Sequence, residues 1–151
     1  MIRPDLTGWR AQYDRMMRGF DRLQRPYRQA VDYSDDLQHF FQDCWHLKDW
    51  IRNDLAAGCG TSIEAEVQRL MPLRVVADLA NGSKHLALDS RKREGAYVTQ
   101  TDVTVHIAQE RPVEVVCRIT LDDGTVLDAT DVVRDAVSAW DSLLRRLQLI
   151  S

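Results

Sequence analysis

The sequence predicts an α+β fold: an antiparallel bundle of about four helices, a three-stranded antiparallel meander and a C-terminal helix. Three observations predict it. Apolar residues recur at helical spacing over residues 1–90, alternate with polar ones over 96–128, and return to helical spacing over 131–149. The 151 residues, 44% hydrophobic and 28% charged, suit a single soluble domain. Roughly two thirds of the unfolded chain's surface can be buried at that length, so folding requires neither a disulfide nor a structural metal. No repeat or linker divides the chain.

The clearest periodic signal is Leu6, Trp9, Tyr13, Met16, Phe20, Leu23 and Tyr27, whose steps of three and four put all seven on one stripe of a helix. Pro26 has no backbone N–H to donate, so this helix should kink or end near Arg25. The stripe serves either the chain's own core or a homodimer seam, and with only about three heptads the intramolecular bundle is preferred. Ser34-Asp35-Asp36 reads as an N-cap with two acids in the first turn, opening a second helix over 34–57. Leu37, Phe40, Phe41, Cys44, Leu47, Ile51 and Leu55 share its inner face with one polar intruder, Lys48, before Gly58-Cys59-Gly60 stops it. Thr61 and Glu64 stand at capping-box spacing for a third helix, which should break at Pro72. A fourth, over 73–88, turns Val75, Val76, Leu79, Ser83 and Leu86 inward.

Beyond Arg91-Lys92-Arg93 and Gly95 the period falls to two. Tyr97, Thr99, Thr101, Val103, Val105 and Ile107 form one alternating set, and Val113, Val115, Cys117, Ile119 and Leu121 another. Glu110-Arg111-Pro112 joins these strands, and Asp122-Asp123-Gly124 turns the chain into a short third strand, Thr125–Leu127. Asp128 or Thr130 caps the final helix, whose stripe is Val133, Ala136, Val137, Trp140, Leu143, Leu144 and Leu147. A meander with one apolar face is marginal alone, so this helix is expected to cover it.

Charge and cysteine usage narrow the function. Cys44, Cys59 and Cys117 are odd in number and widely spaced, with no zinc-site pattern, and read as reduced thiols of a cytoplasmic protein. Neither a signal peptide nor an apolar run near the ~20 residues of a membrane span is apparent. The net charge of −3 argues against a general polyanion binder. Yet residues 1–30 hold seven Arg against three Asp, and 31–66 hold eight acids against Lys48 and Arg52. Rim charges pairing the first two helices explain this most simply; a basic ridge touching nucleic acid is the sharper reading. No GxSxG, P-loop, GxGxxG or HExxH pattern occurs.

Two segments carry unusual polar residues. Trp45-His46-Leu47-Lys48-Asp49-Trp50 puts His46 opposite the apolar stripe with His39, Gln42, Asp49 and Asn53, while Trp45 and Trp50 flank that polar arc as packing residues or as an aromatic wall. In the fourth helix Arg74, Asp78, Asn81 and His85 form one column, with Lys84 beside it. His can titrate near neutral pH and Lys can neutralise an anion, which suits phosphate binding or proton transfer. A solvated face with an Arg74–Asp78 pair is the plain alternative. Gly82 costs about 1 kcal/mol inside a helix, unless a close backbone approach offsets it or it is a C-cap. His46 with Asp49, or His39 with Asp43, would supply two metal ligands but no third, so neither metal nor cofactor is expected.

His46, Leu47, Asp49, Trp50 and Ile51, followed by Asp78, Ala80, Asn81, Lys84 and His85, resemble a set of uncharacterised bacterial proteins with paired helices reading His-Leu-x-Asp-Trp-Ile and Asp-x-Ala-Asn-x-x-Lys-His. The resemblance covers about residues 37–88. More loosely the helical half is similar to HEPN-type bundles, which include RNases of toxin and defence systems and noncatalytic nucleotide-binding members. Such RNases carry an Arg followed four to six residues later by His. Here Lys84 precedes His85 and Arg74 is too distant, so the catalytic pair is not carried over.

The resulting expectation is a small bacterial binding or accessory protein of the kind found on mobile elements. Its polar pocket would lie between helices 34–57 and 73–88, with His46, Asp49, Trp50, Asp78, Asn81, Lys84 and His85 binding a nucleotide, nucleic acid or other anion. The alternatives are a metal-independent ribonuclease using His85 or His46 with Lys84, and a homodimeric module built on the Leu6–Tyr27 stripe.

Overall fold

Helix α1 (Trp9–Leu23) spends its apolar stripe on the chain's own core: Trp9 and Met16 are buried, and Tyr13, Phe20 and Leu23 pack against the same cluster. The computed structural model describes residues 8–26, 30–82, 98–106 and 114–151, so Leu6 and Tyr27 lie outside it. The remaining elements are α2 (Ala30–Asn53), α3 (Ser62–Gln68), α4 (Met71–Gly82), β1 (Val98–His106), β2 (Glu114–Leu121), β3 (Val126–Asp128) and α5 (Ala129–Arg146). The chain is mainly helical with a small antiparallel sheet, an α+β arrangement.

Helix α2 is the central element, in contact with all four other helices. Its start corrects the expectation from Ser34. The helix begins at Ala30 because Tyr33, itself buried, carries the apolar stripe back through Tyr33, Leu37, Phe40 and Cys44. It runs antiparallel to α1, since Trp9 N donates to Asp54 Oδ2 at 3.1 Å while Arg22 Nε lies 3.8 Å from Asp36 Oδ1. Gly19 lies where α1 meets Phe40 of α2, and a Cβ there would touch the ring at an ordinary van der Waals distance of 3.7 Å. The helix ends at Asn53, and Leu55, outside it, is 96% exposed rather than part of the inner face.

Two further local signals read differently in three dimensions. Thr61 makes no side-chain cap; its backbone is already helical, and Ser62 Oγ instead donates to the Cys59 carbonyl at 2.6 Å. Helix α3 stops at Gln68, and Pro72 sits in the first turn of α4, where its missing N–H breaks no hydrogen bond. Helix α4 has neighbours on almost every side, namely α2, α3, α5 and β1. Residues Leu73 and Val75 through Ala80 are all buried.

In the sheet β2 is central. It pairs antiparallel with β1, from Gln100 opposite Thr120 to His106 opposite Glu114, and with β3 through Arg118 opposite Asp128. Cys117, Ile119 and Leu121 are buried and Arg118 is exposed, as a two-residue period requires. Gly124 turns the chain at a φ of 85°, a conformation costly for residues with a Cβ. Asp128 Oδ1 then accepts the Thr130 N–H at 2.8 Å and caps α5. Val133, Ala136, Val137, Trp140, Leu143 and Leu144 are buried in the core, and Trp140 Nε1 donates to the Cys44 carbonyl at 3.2 Å, fastening α5 to α2. The strand-joining turn Glu110-Arg111-Pro112 and the residues Ser83 and Leu86 lie outside the described residues.

Candidate functional site

The column on α4 is not a solvated face. Asp78 is 3% exposed, and Arg74 and Asn81 are half-buried. Arg74 turns back to the end of α3, where Nη1 donates to the Gln68 carbonyl at 2.7 Å, while its buried Nε makes no hydrogen bond. Lys84 and His85, which would complete the expected pocket, lie outside the described residues.

Gln38 Nε2 donates to the Leu79 carbonyl at 3.3 Å, which sets the last turns of α4 beside the first half of α2. His46 is eight residues farther along α2. At 1.5 Å per residue that is about 12 Å of helix, and about 16 Å for Asp49. The described residues therefore do not bring His46 and Asp49 together with Asn81.

Asp49 is engaged locally instead. Its Oδ1 lies 2.8 Å from Lys48 Nζ, which also reaches Glu64 Oε1 at 3.2 Å and stands 4.5 Å from the Trp45 ring centroid. Arg52 approaches the same Glu64 oxygen at 3.6 Å. Lys48, the polar intruder on the inner face, is thus the centre of a charge cluster joining α2 to α3, and Trp45 is its aromatic neighbour.

Trp50, one of the expected site residues, lines an open hollow, which opens toward α1 rather than α4. A groove of about 450 Å³ is bordered by Ala11, Gln12, Arg15, Arg18 and Arg22 of α1 and by Trp50. The three arginines stand at steps of three and four, so they form a row on one helical flank. Arg15 Nε contacts Asp43 Oδ1 at 3.1 Å, and Arg22 pairs with Asp36 as above. Asp43 is buried, and its own carbonyl accepts from Gln12 Nε2 at 2.9 Å. Those pairs are the rim contacts expected from the unequal charge distribution. Arg18 is exposed and has no ion pair among the described residues.

Trp50 also lines a second hollow, of about 280 Å³, with Asp49, Asn53 and Asp54. Both Asp54 oxygens are used, Oδ2 by Trp9 N and Oδ1 by Ala56 N at 3.0 Å. Asn53 is exposed, and its amide makes no hydrogen bond among the described residues. His46 holds the α2 position between Asp43 and Trp50 on the same flank and is half-buried; His39 is exposed.

Among the described residues no group of three His, Cys, Asp or Glu side chains is placed to hold a metal ion. No described helix is long and apolar enough to cross a membrane. Compared with protein-family models, curated proteins and solved structures, the chain matches none.

The basic excess of residues 1–30 and the position of Trp50 are each visible in the sequence, but not their connection. The signal that could have shown it is the antiparallel pairing of α1 with α2, which sets Trp50 beside the first turn of the arginine row.

Proposed function

We propose that this chain is a binding protein, not an enzyme, for a phosphate-bearing anion held in the groove between α1 and α2. In this reading an antiparallel four-helix bundle, braced by the three-stranded meander and the last helix, keeps the groove rigid. The observation that carries it is the row Arg15, Arg18 and Arg22, closed at one end by Trp50.

A guanidinium offers five donors in a planar fork that matches phosphate oxygens, and it stays charged at any physiological pH. The Arg15–Asp43 contact runs through Nε. It holds the guanidinium in place and leaves the terminal nitrogens for a ligand, which lowers the ordering entropy lost on binding. Arg18 supplies positive charge that no α2 carboxylate offsets. The groove residues Ala11, Gln12, Arg15, Arg18, Arg22 and Trp50 include neither a nucleophile nor a general base, which favours binding over catalysis.

The test is thermal unfolding with inorganic pyrophosphate at low salt. Binding to the native state raises the midpoint, and Arg18→Glu should abolish the rise while Arg134→Glu on α5 preserves it. No rise, or one that survives Arg18→Glu, refutes the reading. Cleavage of RNA by the protein in the absence of metal would refute its noncatalytic part.

A further inference from the structure

The basic row is an island. At its Trp50 end the adjoining hollow carries Asp49 and Asp54, and at its Arg22 end stands Asp36. Exposed Asp14 and Asp21, four residues before and three after Arg18, border it along α1. The row runs seven residue steps, from Arg15 to Arg22, about 10 Å of helix. A nucleic-acid strand running past either end would meet further carboxylates beyond the row, whereas a ligand with one to three phosphates fits within the row's length.

The two hollows meet at Trp50, and they differ in chemistry. On one side are guanidinium donors; on the other are the Asp49 carboxylate, which only accepts hydrogen bonds, and the exposed Asn53 amide, which accepts and donates. Lys48 occupies Asp49 Oδ1 and leaves Oδ2. An indole between a phosphate-binding row and a pair of acceptors is complementary to a molecule with a phosphate, a flat aromatic ring and an amino group.

We infer that the ligand is a free nucleotide with an amino-bearing base. Its phosphates lie on Arg15 and Arg18, its base rests on the Trp50 indole, and its exocyclic amine faces Asp49 and Asn53. The inference rests on the anion-binding reading above and adds the ligand class and the role of the second hollow.

Calorimetric titration of the full chain with pyrophosphate, ribose 5-phosphate, AMP and IMP tests it. A base resting on an aromatic ring strengthens binding by between about 5-fold and about 150-fold, so AMP should exceed ribose 5-phosphate by a factor in that range. IMP, whose oxo group replaces the amine, should bind more weakly than AMP. Trp50→Ala should reduce AMP to the level of ribose 5-phosphate. Because Trp50 packs on the core, exposed Asn53 provides a second variant: Asn53→Ala should narrow the AMP-to-IMP ratio without changing pyrophosphate binding.

Equal affinity for AMP and ribose 5-phosphate would overturn the inference and leave the anion reading standing. So would an RNA oligonucleotide that binds more tightly than AMP and gains affinity with length. Failure of every anion to bind would remove both.

Discussion

Lys48 poses a sharp question about how this fold tolerates charge. Its side chain is 10% exposed on the inner face of α2, between Cys44, Leu47 and Ile51, which are all fully buried. The ammonium is not isolated, because Asp49, Glu64 and the Trp45 ring surround it. The two carboxylates are less buried than the lysine, with side chains 45% and 34% exposed. Exposed pairs contribute about 0–1 kcal/mol, whereas removing one partner of a fully buried pair costs about 3–5 kcal/mol. This cluster lies between those limits. Glu64→Gln should therefore cost about 1 kcal/mol, since Asp49 and the indole still face the ammonium. Lys48→Met keeps the apolar stem and removes the desolvated charge, so its effect should stay within about 1 kcal/mol of zero. Lys48→Ala loses the stem as well and should cost about 2 kcal/mol. Urea denaturation followed by tryptophan fluorescence separates the three variants, with midpoints ordered Met, Gln, Ala at constant m-value. On heating, a chain of this size should lose about 2–4 °C per kcal/mol. If Lys48→Met costs more than about 3 kcal/mol while Lys48→Ala costs no more than that, the ammonium itself is required and the reasoning fails.

Asp128→Ala removes the side-chain acceptor at the start of α5 and should cost about 1 kcal/mol, measured by urea denaturation; Asp128→Asn should recover most of it. Burial first, then the hydrogen bond to Asp141, pushes Tyr13 up to about 12 from 10. The folded state therefore holds this proton more tightly than the unfolded chain. The contribution of Tyr13 is complete below pH 10 and is lost as the pH rises from 10 through 12, so stability measured across that window should fall less in Tyr13→Phe. Burial pushes the Cys44 thiol up to about 12, and Cys117 is also buried, whereas Cys59 is half-buried in the loop before α3. Iodoacetamide at pH 8 should alkylate Cys59 first in the native protein, with Cys44 and Cys117 following on unfolding, as peptide mass mapping would show.

What the sequence revealed follows from how one-sided each element is. Helix α5 has a single buried face, so the spacing of Val133, Ala136, Val137, Trp140, Leu143 and Leu144 located both the helix and its core contacts, and of the two cap candidates, Asp128 and Thr130, Asp128 is the one used. Strand β2 was legible for the same reason at a period of two. The start of α2 was obscured because Ser34-Asp35-Asp36 has cap-forming chemistry inside a helix whose inner face already includes Tyr33. Helix α4 defeats the method more thoroughly. Packed by four elements, it buries Asp78 along with its apolar residues, so the polar column that reads as a pocket lining or a solvated face is in part interior. The candidate groove failed to emerge because it is made by two helices together: the arginine row belongs to α1, Trp50 to α2, and only their antiparallel packing joins them.

The same packing explains how a chain of net charge −3 can offer a site to an anion. The acids of residues 31–66 are divided by position. Glu64 and Glu66 lie on α3, a helix of seven residues that is too short to persist alone, and they tie it to α2 through Lys48 and Arg52 and to α5 through Arg146. Asp36 and Asp43 lie on the flank of α2 that meets α1, where they answer Arg22 and Arg15. The alternating spacing that places Arg15 and Arg22 opposite those carboxylates also places Arg18 between them, with no α2 carboxylate paired to it. The eight residues from Arg15 to Arg22 hold three arginines against one carboxylate, Asp21, so positive charge is concentrated there while the whole molecule remains acidic. At physiological ionic strength fields are screened within about 8 Å, so a small ligand in the groove responds to Arg18 and its neighbours and not to the total charge.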